Sequence, residues 1–110
     1  MSGRLTTHVL DTARGCPAAG IPIELARLDG DAREVLRRVT TNADGRTDEP
    51  LLDAGALRVG EYEMTFGVGD HFPDGFLDRV PVRFRVADPD AHYHVPLLVS
   101  PWSYCTYRGS

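Results

Sequence analysis

Residues 80–86 read Val80-Pro81-Val82-Arg83-Phe84-Arg85-Val86. Four apolar side chains alternate with a proline and two arginines, a strict period of two. This pattern predicts a strand with one face in a core and the other toward solvent. Asp88-Pro89-Asp90 ends it with turn residues. Downstream, residues 92–99 and 103–108 form a last strand pair joined at Ser100-Pro101-Trp102. Upstream, Leu5, Thr7 and Val9 alternate with Thr6, His8 and Leu10 in a first strand. A loop over residues 11–20 holds Gly15, Pro17 and Gly20. Ile21, Ile23 and Leu25 carry the second strand and residues 35–41 the third. Asn42-Ala43-Asp44-Gly45 is a turn by composition, followed by a short segment to Gly55. Tyr62, Met64 and Phe66 mark one face of a further strand, and residues 67–75 form a glycine-rich loop. Short alternating runs separated by turn residues predict an all-β antiparallel sandwich or barrel.

Composition agrees with an ordinary globular chain and narrows its partners. The 110 residues are expected to form a single domain, 1–110. A net charge of -4 with no basic cluster argues against nucleic acid and against an anionic membrane surface. No apolar run approaches the roughly 20 residues that span a bilayer. The first ten residues lack the apolar core of a signal peptide, so the expected location is cytoplasmic. All 12 basic residues are arginines. Without lysine, Schiff-base chemistry and a lysine-anchored pyridoxal cofactor are excluded. Cys16 and Cys105 have no metal or redox spacing and are expected as reduced, partly buried thiols.

Strand parity makes the last segment informative. Tyr93, Val95, Leu97 and Val99 share the natural core face, which turns His92, His94, Pro96 and Leu98 the other way. If Pro101-Trp102 is a two-residue hairpin loop, Leu98 faces Cys105, Pro96 faces Tyr107 and His94 faces Gly109. Cys105 and Tyr107 then join the histidine face, and His94 lies beside Arg108-Gly109-Ser110. His8, between Thr6 and Leu10, has a similar outward position on the first strand. A single outward histidine is more often a surface residue than a catalytic one. Two at i and i+2 fit half of a metal site, but no carboxylate or cysteine completes one at good spacing, so no metal is expected. Arg46 alone reads as a solvated loop arginine, and His71 carries no signal. No nucleophile elbow, P-loop or dinucleotide fingerprint is present, and Gly67-Val68-Gly69 lacks the strand-to-helix context for phosphate.

Three separated motifs carry a resemblance. The ending His92-Tyr93-His94-Val95-Pro96-Leu97-Leu98, Ser100-Pro101 and Tyr107-Arg108-Gly109-Ser110 resembles the transthyretin-like 5-hydroxyisourate hydrolases, whose signature is the YRGS tetrapeptide. Leu5-Thr6-Thr7-His8-Val9-Leu10-Asp11, with Gly15, Pro17 and Ala18, matches the family's first motif. Thr41-Asn42-Ala43-Asp44-Gly45-Arg46 matches its middle one. The resemblance implies a transthyretin-like sandwich of about eight strands, with one short helix made doubtful by a shortened loop over residues 67–76. It further implies a homotetramer with active sites at the dimer–dimer interface, no cofactor, and the substrate 5-hydroxyisourate. The expected product is 2-oxo-4-hydroxy-4-carboxy-5-ureidoimidazoline.

The family's functional residues fall on His8, Arg46, His94 and the group Tyr107, Arg108, Gly109 and Ser110. Their implied roles are a general base at His94 or His8 and anion stabilisation at Arg46. Substrate positioning falls to Tyr107, and ordering of the local network to Arg108 and Ser110. Transthyretin itself, a hormone carrier, lacks the histidines and the YRGS ending. A non-enzymatic carrier using the same channel is the competing expectation.

Overall fold

The computed structural model describes residues 3–110. Eight strands follow in chain order: β1 Arg4–Asp11, β2 Cys16–Pro17, β3 Pro22–Asp29, β4 Ala32–Thr40, β5 Gly60–Gly67, β6 Arg79–Val86, β7 His92–Val99 and β8 Tyr104–Thr106. They form two four-stranded sheets, ordered β2-β1-β7-β8 and β4-β3-β5-β6. Alternation in the sequence becomes the core between them. Leu5 and Val9 of β1 and Tyr93, Val95, Leu97 and Val99 of β7 are buried. Ile23 and Leu25 of β3, Tyr62, Met64 and Phe66 of β5, and Val80, Val82 and Val86 of β6 face them from the other sheet. Apolar area withdrawn from water along these rows is the main stabilising term.

One pairing departs from the antiparallel expectation. β1 and β7 run parallel and in step, from Arg4 beside His92 to Asp11 beside Val99. No hairpin links these strands, because the whole second sheet lies between them in the chain. Nothing local therefore constrains their relative direction. The expected hairpin register, in contrast, is present: Leu98 pairs with Cys105, and His94 bridges Gly109.

Local differences have local causes. Asp11, expected in a loop, closes β1 and is 1% exposed, held by its hydrogen bonds rather than by apolar packing. The segment after the 42–45 turn adds no strand; it pairs with the first sheet through a Leu5–Leu52 bridge and buries Leu51 and Leu52 in the core. Among the described residues no helix forms, so the short helix is absent there. None, accordingly, is long and apolar enough to cross a membrane. Both cysteines are free, but exposed rather than partly buried. Cys16 sits on the two-residue edge strand β2, and Cys105 on β8 at the opposite edge, where no neighbouring strand covers them.

Candidate active site

The parallel register determines what meets on the outward face of the first sheet. Thr6 and His8 point outward from β1 because Leu5, Thr7 and Val9 take the core positions. His92 and His94 point outward from β7 for the same reason. Thr6 pairs with His94, and its hydroxyl reaches both imidazoles. Thr6 Oγ1 is 2.8 Å from His92 Nε2 and 2.9 Å from His94 Nδ1.

A turn delivers the arginine. Asn42 Oδ1 accepts hydrogen bonds from the amides of Asp44 and Arg46, and the Asn42 amide donates to the Arg46 carbonyl at 2.7 Å. Gly45 takes a left-handed φ of 74°, and its carbonyl accepts from the Val9 amide at 2.8 Å. A Cβ at residue 45 would collide with the Val9 carbonyl oxygen, so glycine answers both a backbone and a packing demand there. The next residue, Arg46, is thereby projected over the histidine face.

Arg46, His92, His94, Thr6, Asp48, Glu49 and Ser110 border a cleft of about 440 Å³, a size suited to a small molecule. Burial lowers the His94 pKa below the ordinary imidazole value, and the charges of Arg46, His92 and His8 push it further the same way. His94 is therefore a neutral imidazole at physiological pH, able to accept a proton. Beside it, Arg46 supplies a permanent cation with a planar donor fork. Among the described residues no group of three or more metal-ligating side chains is arranged to hold an ion.

The expected residues do not all converge within one chain. Arg46, His94 and Ser110 share the cleft. His8 is half-buried on the same face, but its Nε2 donates to the Asp44 carbonyl at 2.9 Å and it does not border the cleft. Tyr107 is exposed and borders a separate cleft of about 350 Å³ with Phe84, Tyr93 and Arg108. Strand parity ceases to hold there because β8 ends at Thr106. The Arg108 guanidinium lies over the Tyr93 ring at 4.2 Å and donates to the His92 carbonyl at 3.4 Å.

Sequence reasoning assigned no role to Thr6, and none to His92 beyond its shared face with His94. The strand parity of Thr6, two residues before His8, was the only available signal for it. His71, which carries no signal in the sequence, donates from Nε2 to Asp11 Oδ2 at 2.8 Å, away from this cleft.

Residues 5–109 match the model of the HIUase/Transthyretin family. A protein of Rhizobium meliloti (strain 1021), 5-hydroxyisourate hydrolase 2, is 57% identical over 117 residues, covering 99% of this chain and 98% of its own. The solved 5-hydroxyisourate hydrolase of Klebsiella pneumoniae superposes with a TM-score of 0.84 at 34% identity, covering 98% of this chain and 99% of its own. An (S)-allantoin synthase structure superposes with a TM-score of 0.93 at 48% identity over 99% of this chain, which spans only 44% of that longer chain.

Proposed function

The chain belongs to the HIUase/Transthyretin family, and from that premise we propose that its 440 Å³ cleft hydrolyses 5-hydroxyisourate. The observation that carries the reading is the meeting of a neutral imidazole, His94, with a permanent cation, Arg46, in one substrate-sized cleft.

In the proposed reaction His94 Nε2 takes a proton from water as its oxygen adds to a ring amide carbonyl. Negative charge develops on the carbonyl oxygen and is met by the Arg46 guanidinium. Collapse breaks the carbonyl carbon–nitrogen bond, and the proton held by His94 passes to the leaving nitrogen. The ring opens to 2-oxo-4-hydroxy-4-carboxy-5-ureidoimidazoline with no cofactor. His94 is favoured over His8 as base because His8 Nε2 is engaged by the Asp44 carbonyl. Tyr107, Arg108 and Ser110 complete substrate binding, and His8 shapes the same face.

We place four chains in the active assembly, with sites at the dimer–dimer interface. Family membership supports this, as does the position of Tyr107, which is 56% exposed and borders a different cleft of its own chain. Two exposed free thiols suit a reducing compartment, the cytoplasm.

The test is the ultraviolet decay of freshly generated 5-hydroxyisourate with and without the protein, beside native mass spectrometry of the assembly. Accelerated decay by a tetramer is expected. Saturable binding of a urate-like ligand with unchanged decay would instead make the protein a carrier.

A further inference from the structure

The Thr6 hydroxyl stands between two imidazoles that do not touch each other. The rings of His92 and His94 are 6.3 Å apart between centroids, while Thr6 Oγ1 is within 2.9 Å of a nitrogen on each. A threonine hydroxyl carries one proton. Its oxygen also has two lone pairs, but among the described residues the two imidazoles are its only hydrogen-bond partners. Its proton therefore has a partner only if it donates to one ring and accepts from the other.

Two arrangements satisfy that count. In the first, Thr6 donates to His92 Nε2 and accepts from His94 Nδ1–H, which leaves His94 Nε2 with a free lone pair. In the second, His92 Nε2–H donates to Thr6 and Thr6 donates to His94 Nδ1. A neutral His94 then carries its proton on Nε2 and cannot act as a base from that atom. Protonated His92 has N–H on both nitrogens, so of the two arrangements that pair the Thr6 proton with a ring only the second is open to it.

We propose that His92 is a positioning residue for the hydrolysis, acting through the Thr6 hydroxyl to decide which nitrogen of His94 is free to take the proton from water. The inference rests on His94 being the base of the reaction above. Protonating His92 switches His94 off without contact between the two rings. The exposure of His92 leaves its own Nδ1–H to solvent in the active arrangement.

Other charged groups surround the pair but do not bridge it. Arg46 from the loop after β4 and His8 from β1 act on His94 by charge. Arg4 stands opposite His92 in the β1 register, and Arg108 donates to the His92 carbonyl. Asp48 and Glu49 border the cleft from the 46–50 segment. Among the described residues none of these groups is hydrogen-bonded to both rings. Only the hydroxyl makes the proton position on one ring depend on the charge of the other.

The test joins a spectroscopic and a kinetic readout. In ¹⁵N-histidine-labelled protein, imidazole nitrogen shifts followed against pH are expected to show His94 protonated at Nδ1 while His92 is neutral. The proton should move to Nε2 as His92 titrates, and Thr6→Val should abolish that dependence. In kinetics, Thr6→Val is expected to lower kcat about tenfold with little change in KM, and Thr6→Ser to restore it. The acid limb of the parent kcat profile should be steeper than first order and become first order in His92→Phe. An active parent whose His94 proton position ignores the titration of His92 overturns the proposal. Parental kcat and pH profile in Thr6→Val do the same. A parent with coupled imidazoles that leaves 5-hydroxyisourate decay unchanged overturns instead the functional reading on which the proposal rests.

Discussion

At the scale of single residues, His94 is set apart from the other imidazoles by what surrounds it. Burial, then Arg46, then His92 and His8, hold its pKa below the ordinary value. The neutral form therefore persists to lower pH, and in His92→Phe, where His94 alone controls the limb, the acid limb of kcat/KM should lie below the usual imidazole value of about 6.5. Arg46→Ala removes one of these causes and should move that limb upward while lowering kcat/KM, as a pH–rate series would show. His94→Asn should reduce kcat by about 10²–10⁴-fold at neutral pH, with a smaller change in KM. The outward placement of His94 was legible from parity alone, because Tyr93 and Val95 claim the core. The partnership with Thr6 was not. It depends on a parallel register between strands 88 residues apart, which no local pattern encodes.

At the scale of elements, two glycines hold site residues in place by what they lack. Gly45 combines a φ of 74° with close approach to the Val9 carbonyl. Gly45→Ala should cost about 1–3 kcal/mol, read as a lowered midpoint in denaturant, and should depress activity through Arg46. Gly109 pairs with His94, its amide donating to the His94 carbonyl at 2.7 Å. A Cβ at residue 109 would stand 2.5 Å from His94 Cδ2. Gly109→Ala should therefore displace the imidazole and lower kcat while leaving the denaturant midpoint nearly parental. The hairpin pairing that brings Gly109 to His94 was readable, since a two-residue loop determines its register. The segment supplying Asp48 and Glu49 was not. It has no periodicity, and its place is held by the Leu5–Leu52 bridge, buried Leu51 and the Asn42–Asp48 hydrogen bond rather than by any repeat of its own.

At the scale of the whole molecule, the Asp11–His71 contact ties the glycine-rich loop after β5 to the end of β1. Burial works to raise the Asp11 pKa, but hydrogen bonds from His71 and the Arg14 and Ala13 amides outweigh it and the pKa is lowered. Its stabilising contribution is complete above the unfolded Asp value of about 3.9 and is lost as pH falls through the lower folded value. Asp11→Asn should lower Tm at neutral pH and flatten the loss of stability in acid, as thermal melts at several pH values would show. The β1–β7 pairing has a consequence in time as well as space. Thr6 waits for partners 86 and 88 residues further along the chain. At a synthesis rate of about 5–20 residues per second, that is a delay of roughly 4–17 s on the ribosome. Throughout it β1 has an unclaimed edge where β7 will dock, open to neighbouring nascent chains. The edge that brings Thr6 to its two histidines is thus also one that a growing chain must keep from a wrong partner until its own seventh strand arrives.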